Sequence, residues 1–436
     1  MWKNEWTRLL VETDRGVFEV FENGGGEPLA VTHLYSAFNE KGNSFANPFV
    51  EEYHVYLINL KGAGNSSPVE DESEYSMDAA VQDLEAVREA LGIHKWGFAG
   101  HSTGGMLALK YAINCPSSLT KIIAGGAAAS YEYGADPDSI YCSKNPKFNR
   151  IVEIMNLLED PTTPIETRKE LGYEWALMSY HSEEKLQEAL KKPNSGKTVG
   201  PRLDYFRKVE YPTYDIREEL KEIRVPSYIY AGKYDSQCPM KYGVEIAELI
   251  PDASWTIFEE SNHNPFSEEE EKFKEFVKST LRTSVEIYFA LEGSEDNDYD
   301  FELALVTDRL GISPTSTQKM GEFHNPERAK QLAINPRQYS YTQWKYSTGR
   351  IETLDFEGLV DEIVNTFKDK VSVIIQLRDE YGIRPYIGMV PKVYNGMSPG
   401  YSLTIEQMQF MIDIGVGMDL DEYVYPFTEP EDDDVE

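Results

Sequence analysis

The chain has 436 residues, 41% hydrophobic and 12% aromatic, which is enough apolar surface for large packed cores and excludes global disorder. Lys and Arg number 42 against 75 Asp and Glu, a net charge of -33, and a polyanion of this kind repels phosphate backbones and anionic lipid headgroups. Neither nucleic acid nor a membrane surface is therefore an expected partner.

Taken in chain order, the N-terminus has no apolar run of the signal-peptide kind. Runs rich in Val, Ile, Tyr, Phe and Trp predict strands at 8–13, 16–22, 28–34, 54–60, 95–100, 121–125, 226–231 and 254–258. Helical patterns between them, such as 77–91 and 106–114, serve as crossovers, so an α/β fold with a mostly parallel sheet flanked by helices is expected. Gly24-Gly25-Gly26 reads as a flexible hairpin turn, because it lacks the strand-to-helix setting of a phosphate loop. Residues 132–216 interrupt the alternation, are rich in helix and aromatic residues, and are expected to form a helical cap over one end of the sheet. The pattern 268–281 closes this unit as a helix, with Phe273, Phe276, Val277 and Leu281 on one buried stripe.

A smaller α+β unit is expected from residue 284 to 425. It has strands at 285–291, 343–347, 385–390 and near 420–425, and helices at 300–310, across 355–381 and at 404–415. The first domain is placed at 1–283, and residues 426–436 read as an acidic, disordered tail. No stretch approaches the ~18–20 apolar residues of a membrane helix. Cys115, Cys142 and Cys238 form neither a disulfide framework nor a zinc spacing, so a cytoplasmic protein without metal or cofactor is expected.

The chemistry concentrates in Gly100-His101-Ser102-Thr103-Gly104, a G-x-S-x-G pattern lying directly after a predicted strand and before a helix. A nucleophile elbow requires that setting, because the tight turn lifts the serine hydroxyl clear of the sheet. A serine hydroxyl is weakly nucleophilic and needs a base oriented by an acid. His263, in the loop after the strand at 254–258, is the expected base. Asp235, in the loop after the strand at 226–231, is the expected acid, whereas Asp252 precedes a strand and lies at the wrong edge. An oxyanion hole needs two backbone N–H groups, expected from Thr103 and from Leu34 or Tyr35 in the loop after the third strand, with His33 ordering that loop.

These residues together resemble the α/β-hydrolase superfamily, specifically its proline-iminopeptidase-like branch, over roughly residues 5–283. Asn59-Leu60-Lys61-Gly62-Ala63-Gly64-Asn65-Ser66 is similar to that branch's D-x-R-G-x-G-x-S segment. The resemblance implies the α/β-hydrolase fold with its cap, and a serine hydrolase acting on an ester or amide in a small molecule or short peptide. His33, Glu132, Glu174 and Trp175 are the candidate substrate contacts; the resemblance offers the two glutamates as counterparts of the cap carboxylates with which the aminopeptidases bind a free α-amino group, a solvated surface position being the alternative for each. Two departures bear on substrate. The family's oxyanion loop H-G-G-P-G is His33-Leu34-Tyr35-Ser36-Ala37 here, and Thr103 stands where the aminopeptidases carry Trp.

Residues 284–425 resemble a small bacterial domain family of unknown function, through Leu310-Gly311-Ile312-Ser313-Pro314-Thr315, Trp344-Lys345-Tyr346-Ser347-Thr348 and Asp419-Leu420-Asp421-Glu422-Tyr423. That resemblance, together with 12 Lys and Arg against 29 Asp and Glu in residues 284–436, makes a protein partner for the acidic C-terminal domain the alternative expectation, with the hydrolase domain secondary.

Overall fold

The computed structural model describes residues 6–323, 337–394 and 397–424; the acidic tail expected at 426–436 lies outside them. The chain forms two compact units, Met1–Thr280 and Leu281–Glu436.

In the first unit the strands are β1 (Thr7–Thr13), β2 (Gly16–Gly24), β3 (Glu27–Val31), β4 (Ser36–Ala37), β5 (Tyr53–Ile58), β6 (Trp96–His101), β7 (Leu119–Gly125), β8 (Lys197–Thr198), β9 (Ser227–Gly232) and β10 (Ala253–Phe258). Eight of them build one sheet in the order β1-β2-β5-β3-β6-β7-β9-β10, antiparallel at β1-β2-β5 and parallel from β5 onward. Helices α1 (Met77–Ala90) and α2 (Thr103–Asn114) are crossovers, and Ser76 caps α1 by accepting from Ala79 N–H. Every residue of β6 and β9 is buried, as expected where helices cover both faces of a parallel sheet. All the parallel strands end at the same edge, so the loops after β3, β6, β9 and β10 meet there.

Two features around β3 differ from the sequence reading in ways that bear on the site. β3 ends at Val31, so Thr32, His33 and Leu34 belong to the following loop, which is fastened to β5 by Thr32 Oγ1 donating to Ile58 O at 2.7 Å. The Gly24–Gly26 turn does not close a hairpin, because β3 pairs parallel with β5 and not with β2. The turn instead carries the chain past the start of β5, where Gly24 pairs with His54 and Glu27 with Tyr53. Gly24, at φ +86°, passes so close that a Cβ would stand 2.3 Å from Tyr53 O.

Between β7 and β9 lie α3 (Phe148–Glu159), α4 (Ile165–Met178), α5 (Glu183–Ala189), α6 (Gly200–Tyr205), a π-helical turn Phe206–Glu210 and α7 (Arg217–Leu220). We refer to this segment as the cap. After β9 come α8 (Met240–Leu249), α9 (Pro265–Glu268) and α10 (Glu270–Ser279), the last burying Phe273, Phe276 and Val277.

In the second unit β11 (Ser284–Glu292) pairs antiparallel with β13 (Gln343–Ser347) and β15 (Arg384–Val393). The helix Phe356–Phe367 buries Phe356, Leu359, Val360, Ile363, Val364 and Phe367, the stripe its 3.6-residue period sets. β12 (Ser316–Gln318) and β14 (Ile351–Glu352) carry no periodic signal, being three and two residues long, and were not expected. β16 (Asp419–Leu420) and β17 (Tyr423–Val424) add to β15 in parallel.

Candidate active site

Ser102 sits between β6 and α2 at φ 58°, ψ −125°, a backbone conformation costing ~1–3 kcal/mol for a residue with a Cβ. Positions 100 and 104, two residues to either side, must be glycine. A Cβ on Gly100 would stand 1.9 Å from Gly104 O, and one on Gly104 would stand 2.6 Å from Thr32 O. The turn is pinned by Ser102 N–H donating to Gly125 O at 2.8 Å and Met106 N–H donating to Ser102 O at 3.1 Å.

His263 and Asp235, both buried, meet through Nδ1 and Oδ2 at 2.8 Å. The other Asp235 oxygen accepts from Gln237 and Cys238 N–H, each at 2.9 Å, so the carboxylate is held at both ends. With Nδ1–H donated to the carboxylate, Nε2 of His263 carries the lone pair. Asn262 joins the two loops, since its Oδ1 accepts from Ser236 N–H at 2.9 Å. Glu268 fixes the histidine loop from behind by accepting from Asn262 and Asn264 N–H, both at 3.0 Å, and burial pushes its carboxyl up. The cap reaches the same loop through His263 N–H donating to Ser179 O at 3.1 Å.

His33 brackets the site from the loop after β3. Its Nε2 lies 3.2 Å from Thr103 Oγ1, and its Nδ1 lies 3.1 Å from Ser36 Oγ. Desolvation, with His263 adding repulsion, holds its pKa down at about 3. The His101 ring lies 4.6 Å from that of His263, tilted against it, and bonds Tyr230 OH through Nδ1 at 3.0 Å; burial holds it well below the ordinary histidine value. Both rings are therefore neutral neighbours of His263 at physiological pH.

Ser102, His263, His33, Tyr35 and Thr103 line one cavity of about 1660 Å³, whose cap side is formed by residues including Tyr141, Phe148, Trp175 and Phe206. Tyr141 OH donates to Gln237 Oε1 at 2.6 Å, and Gln237 Nε2 donates to Ser179 Oγ at 2.8 Å. Leu34 is fully buried and does not line the cavity. Glu132 and Glu174 do not line it either. Glu132 pairs with Arg217 at 3.1 Å, and Glu174 takes a two-pronged contact from Arg150 at 2.7 and 2.6 Å. The sequence reading did not single out Arg202, Gln237, Asn262 or Glu268. Gln237, Asn262 and Glu268 lie within five residues of Asp235 or His263, a proximity that could have found them, whereas Arg202 had no such signal. Among the described residues no group of three or more His, Cys, Asp or Glu could hold a metal ion. No helix among them is long and apolar enough to cross a membrane.

A mostly parallel sheet with a glycine-flanked serine turn at its carboxyl edge, under a helical cap, is the architecture of a hydrolase. The chain belongs to the alpha/beta hydrolase fold family, whose model matches residues 20–270, and residues 283–425 match a domain of unknown function, DUF4279. Among curated relatives, a proline iminopeptidase from Saccharolobus solfataricus is 28% identical, the match covering 52% of this chain and 76% of that protein. A proline iminopeptidase from Heyndrickxia coagulans is 26% identical over 60% of this chain and 93% of that protein. Among solved structures, an alpha/beta fold family hydrolase from Bacillus anthracis is 64% identical with a TM-score of 0.63, over 64% of this chain and 100% of that chain.

Proposed function

We propose that the protein is a serine hydrolase that cleaves an ester or amide bond through an acyl-enzyme. Ser102 Oγ attacks the carbonyl carbon while His263 Nε2 takes its proton, and Asp235 holds the imidazole in the tautomer that can do so. The oxyanion accepts from the N–H groups of Thr103 and Tyr35; loss of one such donor costs ~2.7–4 kcal/mol of barrier stabilisation. Collapse expels the alcohol or amine, which leaves with the proton from His263. Water, activated by the same nitrogen, then releases the acid and frees Ser102.

The observation that carries this reading is that His263, held by Asp235 at 2.8 Å, lines the same cavity as the strained Ser102. The named relatives support an aminopeptidase variant of it. The pairing of Glu132 and Glu174 with arginines favours esters, because neither carboxylate is free to hold an α-amino group.

A fluorophosphonate probe should label the wild type and not Ser102→Ala; labelling of both, or of neither, would overturn the proposal. A panel of p-nitrophenyl esters and prolyl p-nitroanilide, run beside Ser102→Ala, decides between the two substrate classes. Ester turnover is expected to exceed anilide turnover.

A further inference from the structure

The cap and the oxyanion loop are joined at several points. β4 pairs antiparallel with β8, and Val199 N–H donates to Tyr35 O at 2.8 Å. Arg202 of α6, whose side chain is fully buried, donates through Nε to Leu34 O at 2.5 Å and through Nη1 to Lys61 O at 3.0 Å. Its guanidinium lies 5.6 Å from the Tyr75 ring, and Nη2 is buried with no hydrogen-bond partner. Burial lowers the pKa only to about 10, so the group stays cationic at neutral pH. Sealing a cation from water costs several kcal/mol, and one incompletely satisfied is a poor device for stability alone.

The Leu34 carbonyl and the Tyr35 N–H belong to one planar trans peptide group, so they point in opposite directions. We propose that Arg202 is a positioning residue of the oxyanion hole. By holding Leu34 O it aims Tyr35 N–H, and by drawing electron density toward the carbonyl it strengthens that N–H as a donor. At rest Tyr35 N–H contacts His33 Nδ1 at 3.4 Å, a long bond readily exchanged for an oxyanion. A glycine-rich loop can be shaped by its own backbone, whereas Leu34, Tyr35 and Ser36 carry side chains, and here the cap supplies the clamp. The inference rests on the serine-hydrolase reading above.

The test uses the full chain with Arg202→Lys, which keeps the charge but cannot make both bonds, and Arg202→Met, which removes the charge. Thermal unfolding checks that each is folded. For a p-nitrophenyl ester, kcat is expected to fall about 10–100-fold in both variants, less than the loss of a whole donor, with KM nearly unchanged. Affinity for a trifluoromethyl ketone, which binds as its oxyanion adduct, should fall by a similar factor. Unchanged kcat and ketone affinity in a folded variant, or a raised KM with kcat retained, would overturn the inference.

If neither variant folds, NMR of the wild type carries the test. The Tyr35 amide and Arg202 Nε–H signals should both move on adduct formation, and a Tyr35 shift without an Arg202 shift would count against the coupling. A wild type that neither reacts with fluorophosphonate nor forms the adduct overturns the serine-hydrolase reading itself. A reactive wild type with fully active variants overturns only the role of Arg202.

Discussion

At the scale of single residues, the neutral histidines around His263 make stability depend on pH. The folded pKa of His33 lies below the ordinary histidine value, so the unfolded chain binds more protons in the window between about 3 and that value. The stability contribution is complete above the ordinary value and is lost as pH falls through the window; His101 acts in the same direction. Glu268, whose carboxyl is pushed up, acts oppositely, so the informative quantity is a difference between proteins. Calorimetry from pH 8 to 5 should show the His33→Asn midpoint falling less steeply with acid than the wild type; parallel slopes would refute this. The histidine and acid positions were legible because each follows its own strand, and order along the chain survives folding. The pairing of Glu132 and Glu174 was not legible, because their partners Arg217 and Arg150 lie 85 and 24 residues away, a separation that hides whether a carboxylate is free.

At the scale of elements, α10 supports the site from beneath. Phe273 is fully buried, and its ring lies 5.3 Å from Tyr230, 5.6 Å from Phe258 and 5.9 Å from Phe266. Phe266 in turn stands edge-on to His101 at 5.0 Å, and the His101 ring lies 4.6 Å from that of His263. Phe273→Ala should cost about 3–5 kcal/mol. The midpoint of the first unit should then drop by roughly 6–20 °C, and a drop under about 2 °C would show that the cluster closes over the cavity. The apolar stripe of α10 could be read from spacing, because a 3.6-residue period needs only a few residues to register. β4 and β8 could not be read. Two-residue strands have no period, and their pairing spans 162 positions from Ser36 to Thr198. The clamp on the oxyanion loop was invisible in the sequence for the same reason.

At the scale of the molecule, the two units have separate cores, and the negative charge is not shared in proportion to length. Residues 1–283 hold 30 Lys and Arg against 46 Asp and Glu, while the shorter remainder holds 12 against 29. The Bacillus anthracis hydrolase, matched over its whole length by 64% of this chain, shows that the fold can be completed without a second unit. Residues 1–280 expressed alone should keep the ester kcat/KM of the full chain, and calorimetry of the full chain should resolve two transitions. A single transition, or an inactive fragment, would show that the units depend on each other.

The placement of the indoles provides built-in optical probes. Trp96 is sealed in the first core with Nε1 donating to Tyr111 OH at 2.9 Å, and Trp344 is sealed in the second with Nε1 donating to Thr307 Oγ1 at 3.0 Å. Trp175 stands on the cavity wall. Emission from Trp175 responds to occupancy of the cavity, while Trp96 and Trp344 respond when their own cores melt. Binding and unfolding can thus be followed in the unlabelled chain without a chromogenic substrate.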